Sequence, residues 1–287
     1  MPIMLETGRW SERRRRAEGL TGQWPFASEV LGFYLAMLDV QRRIFEKTRE
    51  APPQADRISE FASEVALPYV VEISIDRGPQ QLGLGVVERF HATDAALLVE
   101  NWLRGNELVA VDRYLARAAT APILEALDQS ALSSLRSVEA DDRHCPACGG
   151  LPQVSYFASS PEDLVTGHRY LLCSRCAGTW SYTRMKCAAC GEDETEKLLV
   201  YSEIGTLQGE RSKEIVRKED SSVNQGDARF PHLRIDGCTT CKNYLLNVDL
   251  GRDGRAVPEV DELAALPLDL YAKELGLTKI TPNLMGF

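Results

Sequence analysis

The stretch CSRCAGTWSYTRMKCAAC, residues 173–190, holds two Cys-x-x-Cys pairs with ten residues between them, and the way those pairs are shared decides the fold. A Cys-x-x-Cys pair in a tight turn aims two sulfurs at one point, and two such knuckles complete the four-thiolate shell of Zn(II) or a rubredoxin-type iron. The intervening residues include TWSYTRM, Thr179 to Met185, which has strand texture. Seven extended residues at ~3.3 Å each hold the two knuckles ~20 Å apart, too far for one metal. They are therefore halves of different sites.

The rest of the chain supplies the other halves. All eight cysteines fall in such pairs: Cys145/Cys148, Cys173/Cys176, Cys187/Cys190 and Cys238/Cys241. The 24 residues between Cys148 and Cys173 contain QVSYF and HRYLLC, which fold back as a hairpin, and the 47 between Cys190 and Cys238 leave room for a ribbon with a longer insert. The expected first site is Cys145, Cys148, Cys173 and Cys176; the expected second is Cys187, Cys190, Cys238 and Cys241. Gly149 and Gly191 directly follow the second cysteine of their knuckles, where such turns favour positive φ.

Four protein thiolates leave no open coordination position, so hydrolytic zinc chemistry is not expected, and no catalytic residue is assigned. Thioredoxin-type dithiols use a single Cys-x-x-Cys at a helix N-terminus after a strand, a frame that four copies here do not match. His144, beside Cys145, is an alternative ligand or hydrogen-bond partner but reads more simply as a surface turn residue. His91, His168 and His232 carry no ligand spacing.

Working outward, residues 1–140 lack cysteine and show helical apolar stripes. One passes through Val30, Phe33, Tyr34, Met37, Leu38 and Ile44, and others follow between breaks expected at Pro68, Gly78-Pro79, Gly105 and Pro122. From about Arg143 the texture changes to short strands expected to form small antiparallel sheets. After Pro258, helical spacing returns at Leu263, Leu266, Leu270 and Leu275. The expected fold class is α+β: a helical domain (1–140), a first tetracysteine ribbon (141–186), a second (187–257), and a C-terminal helix and tail (258–287), the ribbons being rubredoxin- or zinc-ribbon-like.

Charge and hydropathy narrow the function. The chain has 287 residues, 44% of them hydrophobic, and a formal net charge of -9. That balance argues against a zinc-ribbon nucleic-acid binder, because phosphate neutralisation needs surplus Lys and Arg, and acidic residues also outnumber basic ones between Cys145 and Cys241. No apolar run approaches the ~18 residues needed to span a bilayer, so no membrane insertion is expected. The arginine run Arg13 to Arg16 is followed by AEGLTGQWPF and not by an apolar segment, so it reads as an exposed helix face of a cytoplasmic protein and not as an export signal. On the joining strand, Trp180 and Tyr182 share one face and Met185 takes the other. Trp180, Tyr182 and Arg184 are candidate partner-binding residues, with packing between the ribbons the alternative for Trp180. Arg184 stands between two anionic tetrathiolate sites, which it either neutralises or forgoes for a partner's carboxylate.

The pattern Cys-x2-Cys-x3-Trp-x3-Arg-x2-Cys-x2-Cys, filled by Cys173, Cys176, Trp180, Arg184, Cys187 and Cys190, resembles the formate dehydrogenase accessory protein FdhE family. HCPACGG before it, DGCTTCKNYLLNVD after it, LAALPLDLYAKELG, the closing ITPNLMGF and YLAMLDVQRRIFE near the N-terminus are similar to that family as well. The resemblance implies a cytoplasmic assembly factor, not an enzyme, that binds the catalytic subunit of a respiratory, molybdenum-containing formate dehydrogenase and is needed for its activity. It also implies two rubredoxin-like iron sites, while the ribbon geometry serves zinc equally well. A rubredoxin-like electron-transfer protein is the other reading.

Overall fold

The computed structural model describes residues 3–136, 141–158, 167–203, 215–217 and 228–287. The chain divides into two compact units. One contains Met1–Gly150, Cys173–Gly178 and Leu284–Gly286; the other contains Leu151–Leu172, Thr179–Asn283 and Phe287. Helices come first, strands next and short helices last, which is the expected α+β class.

The first unit holds α1 (Ile3–Gln23), α2 (Ser28–Glu50), α3 (Ile58–Phe61), α4 (Leu67–Arg77), α5 (Gln80–Ala92), α6 (Ala95–Arg104), α7 (Ala110–Ala126) and α8 (Gln129–Ser133). The α2 stripe buries Leu31, Phe33, Tyr34, Met37, Leu38 and Ile44, as a 3.6-residue period requires. Helix α7 is the central element, packed by α2, α4, α5 and α6 and buried from Tyr114 to Thr120 without interruption.

The break expected at Pro122 does not occur, since α7 runs through it. Proline removes the N–H that would have bonded the carbonyl of Ala118, one helical turn earlier. The buried amide of Gln41 on α2 donates to that carbonyl at 3.1 Å, so the helix continues with the acceptor satisfied.

The arginine run also departs from an exposed face. Arg13 is buried, its guanidinium 3.0 Å from Glu125 and over the Trp10 ring at 4.9 Å, while Arg14 pairs with Asp39 and Glu18. The run is a tertiary device, tying α1 to α2 and α7 through charges that a sequence scan counts as solvent-facing.

The second unit is built on one mixed sheet in the order β3-β2-β1-β7-β6-β4-β5, with β8 also on β7. Its strands are β1 (Pro152–Phe157), β2 (Arg169–Cys173), β3 (Thr179–Tyr182), β4 (Leu198–Glu203), β5 (Ile215–Arg217), β6 (Leu233–Cys238), β7 (Asn243–Asp249) and β8 (Thr278–Lys279). The expected strand texture is borne out, but separate antiparallel sheets are not. β1 pairs parallel with β7, Ser155 opposite Asn247, and joins the strands into a single sheet. Strand alternation gives no information on such a non-local parallel pairing. The connection expected between β1 and β2, and most of the insert expected between Cys190 and Cys238, lie outside the described residues.

After the sheet come α9 (Pro258–Ala264) and α10 (Leu266–Glu274), two helices where the spacing predicts one. Pro267 sits in the first turn of α10, a position that suits its fixed φ and missing N–H but ends the preceding helix. The register shifts with the break: Leu263 and Leu268 are buried, whereas Leu270 and Leu275 are exposed. Buried polar groups fix these helices to the sheet. His232 Nε2 lies 2.8 Å from Asp261 Oδ1, Gln153 donates to Glu262 at 2.5 Å, and Lys279 Nζ sits 2.6 Å from Glu262 and 3.0 Å from Asp269.

Candidate metal centres

The structure brings the eight cysteines together in two groups of four: Cys145, Cys148, Cys173 and Cys176 in the first unit, and Cys187, Cys190, Cys238 and Cys241 in the second. Within each group all four sulfurs lie within 4.8 Å of one another. In the first, sulfur pairs stand at 3.7 Å (Cys145–Cys176), 3.5 Å (Cys148–Cys173) and 3.5 Å (Cys148–Cys176); in the second, at 3.7 Å (Cys187–Cys241) and 3.8 Å (Cys190–Cys238). A tetrahedron with metal–sulfur bonds of about 2.3 Å has edges of about 3.8 Å, so the spacing fits a four-coordinate ion. It does not fit disulfides, whose sulfurs bond at about 2.05 Å.

Each knuckle is a turn of the same kind. The residue after its second cysteine has positive φ in all four: Gly149 at 72°, Ala177 at 53°, Gly191 at 82° and Lys242 at 59°. The turns close by backbone bonds, Gly149 N–H to Cys145 O and Gly191 N–H to Cys187 O, both at 2.9 Å. Amides then reach the sulfurs, Arg175 N–H to Cys173 Sγ at 3.3 Å and Ala189 N–H to Cys187 Sγ at 3.4 Å. Such donors stabilise thiolates.

The electrostatics of the bare groups fit a cation. In the first, hydrogen bonds from Cys148, Cys173 and Cys176 pull the Cys145 thiol far below its usual range, while burial and the neighbouring thiols push Cys173 far above it. In the second, burial drives Cys187 and Cys190 up, whereas at Cys241 burial is outweighed by hydrogen bonds, first those donated by Asn243, and the thiol is brought down. Four thiolates cannot share so small a volume unless a bound cation offsets their charge.

Surroundings differ between the two groups. The first is buried throughout, and side chains of its own unit hold its knuckles. Arg175 donates to the carbonyls of Leu103 and Trp102 at 3.0 and 3.1 Å, closing the open end of α6, and Arg9 donates to Ala177 O at 2.9 Å. In the second, Cys190 is exposed and Cys241 half-buried.

His144 faces away from ligation: its Nδ1 lies 2.6 Å from Asp141 Oδ1. Burial would raise the Asp141 carboxyl, but hydrogen bonds from His144 and Arg143 outweigh it and hold the group well below the carboxylate range.

On β3, Trp180 and Tyr182 share the buried face, and the Tyr182 hydroxyl donates to Cys187 O at 2.9 Å. Arg184 is exposed, donates to Gly167 O at 3.0 Å and stacks over Phe157 at 4.1 Å. Residues that sequence reasoning missed are Arg175, whose place inside a knuckle hides its role in closing a helix, and Arg169. Buried behind the second group, Arg169 donates to the carbonyl of Lys186 at 2.9 Å and pairs with Asp236 at 3.2 Å. Its type and strand position gave no sequence signal.

Fold and sites together define an α+β protein with two closed tetracysteine groups. Residues 144–184 match the protein-family model described as FdhE, central domain. The chain is similar to the protein FdhE homolog of Aquifex aeolicus, 33% identical over 146 residues, 50% of this chain and 42% of the relative. It is similar to the homolog of Pseudomonas putida, 28% identical over 282 residues, 89% of this chain and 82% of the relative. Its fold is that of the crystal structure of the FdhE protein from Pseudomonas aeruginosa, with a TM-score of 0.60, 23% identity, and 96% of this chain and 94% of that chain covered. The match to Aquifex aeolicus and that to the Pseudomonas aeruginosa homolog each span about two fifths of the relative's length, 42% and 41%. The chain is thus FdhE-like, which bears out the resemblance read from the motif between Cys173 and Cys190. Among the described residues, no helix is long and apolar enough to cross a membrane.

Proposed function

We propose that this protein is a cytoplasmic accessory factor that binds the catalytic subunit of a respiratory formate dehydrogenase and is needed for its activity, and that it is not itself an enzyme. The observation that carries this reading is the FdhE central-domain match over residues 144–184, the segment that contains the whole first tetracysteine group. Each group holds one metal ion, iron or zinc, with Cys145, Cys148, Cys173 and Cys176 around the first and Cys187, Cys190, Cys238 and Cys241 around the second. The ions are scaffold: with four sulfurs each they have no coordination position for a substrate.

Client contact falls to side chains beside the sites. Arg184 is the solvent-facing member of the candidates, while Trp180 and Tyr182 shape the strand that presents it. The test is a pull-down with tagged protein from cells that make formate dehydrogenase. Recovery of the catalytic subunit supports the reading, and its absence from a captured, fully metallated bait contradicts it. Elemental analysis of untagged protein should give two metals per chain.

The exposure of Cys190 favours one other reading, a rubredoxin-like electron-transfer protein, since electron exchange needs an accessible centre. The visible spectrum of anaerobically purified protein separates the two, because a ferric tetrathiolate is coloured and zinc is silent.

A further inference from the structure

A cleft of about 40 Å³ opens in the second unit beside Cys187, and its lining is unlike the chain as a whole. In a protein with net charge -9, three guanidiniums, Arg169, Arg184 and Arg234, line the cleft with one carboxylate, Asp236, and Lys186 also lines it. Asp236 answers two of them, lying 3.2 Å from Arg169 and 2.8 Å from Arg234. Arg184 hydrogen-bonds a neutral carbonyl and pairs with no carboxylate among the described residues. Arg184 and Arg234 both stack on the ring of Phe157, at 4.1 and 4.6 Å from its centroid, so the two guanidinium carbons are at most about 9 Å apart. Arg169 is almost fully buried, with 3% of its side chain exposed, and its Nε has no hydrogen-bond partner. Burial pushes its guanidinium down, and Asp236 opposes that.

Clustered guanidiniums with surplus charge and an unfilled donor are the ordinary makings of an oxyanion site. The cleft has room for roughly three waters or one planar carboxylate, given the 10–15 Å³ or so that each water requires. We propose that it binds a carboxylate, held by Arg184 and Arg234, while Arg169 and Asp236 form its floor. The carboxylate comes either from a free small acid or from an acidic side chain of a protein partner. The partner-side-chain source deepens the client-contact reading of Arg184 and rests on it, whereas acetate binding tests the cleft alone.

The test follows the arginine Nε–H resonances of the metal-loaded full chain by NMR. Sodium acetate and, separately, a six-residue glutamate peptide are titrated against sodium chloride at equal ionic strength. A saturable shift at Arg184 and Arg234 with acetate and none with chloride is expected, and Arg184→Gln and Arg234→Gln should each weaken it about tenfold while two metals per chain remain. Binding of acetate with no gain for the peptide assigns a free acid; peptide binding about tenfold tighter assigns a partner side chain. No saturable shift in the wild-type protein with either probe overturns the site, as does unchanged binding in both variants. If a variant sheds metal, the wild-type titration still decides.

Discussion

Gly150 lies against the sulfur of Cys173, so that a Cβ placed on Gly150 would stand 2.8 Å from Cys173 Sγ and 3.0 Å from Arg175 Cδ. The first tetracysteine group therefore closes around a missing side chain. Gly150→Ala should displace Cys173 and lower metal content by about one per chain, leaving the second group filled. Elemental analysis reads this directly, and two retained metals would show that the backbone yields instead.

The exposure of Cys190, in contrast to the full burial of the first group, predicts unequal metal release. Challenge with a chromophoric chelator should give two phases of one metal each, the faster from the second group. Cys190→Ser should remove the fast phase and leave the slow one unchanged.

Two knuckles reach positive φ without glycine. An L-residue in that region costs roughly 1–2 kcal/mol, so Ala177→Gly and Lys242→Gly should each stabilise the metal-loaded protein by up to about 1 kcal/mol, less the added entropy of the unfolded chain. Denaturant midpoints at fixed metal concentration measure it. A lower midpoint in both variants would count against the turn geometry.

Gln41→Leu should destabilise the helical unit by about 1–3 kcal/mol, because the carbonyl of Ala118 loses its donor and Pro122 cannot replace it. Thermal melts compare it with Gln41→Glu, which also lacks the full amide. Wild-type stability in both would contradict this role.

Glu262 and Asp269 share one ammonium, Lys279, with the Tyr244 hydroxyl donating to Asp269 and Gln153 to Glu262. Burial pushes the Glu262 carboxyl up, Asp269 adds to it and Lys279 opposes it. The folded state therefore holds this proton more tightly than the unfolded state, whose value is 4.5. The group's contribution is fully present below that value and is lost as pH rises through the folded one, at up to about 1.4 kcal/mol per pH unit. Glu262→Gln should flatten that decline in denaturant unfolding above pH ~4.5, and an unchanged slope would exclude Glu262 as its source.

Cysteine spacing made the pairing of knuckles readable, since a strand between Cys176 and Cys187 physically separates two sulfur pairs. Helical stripes and strand alternation likewise gave the class and most elements, because local periodicity reports which face is buried. Features resting on distant partners were not readable. Arg13 looks solvent-facing until Glu125 is placed beside it, Pro122 looks like a break until Gln41 arrives, and the parallel pairing of β1 with β7 joins residues some ninety positions apart, such as Ser155 and Asn247. Arg175 acts through carbonyls, which carry no sequence signal, and Arg169 through a carbonyl and Asp236, a partner 67 positions away.

The path of the chain, which leaves the helical unit at Gly150 and re-enters it from Cys173 to Gly178 and again from Leu284 to Gly286, also sets a timetable on the ribosome. The first four sulfurs are all present once Cys176 has emerged, and the second four only after Cys241 has. At about 5–20 residues per second, these events fall roughly 3–13 s apart. A nascent chain arrested between Gly150 and Cys173 carries Cys145 and Cys148 with no opposite pair, only half of a metal's shell.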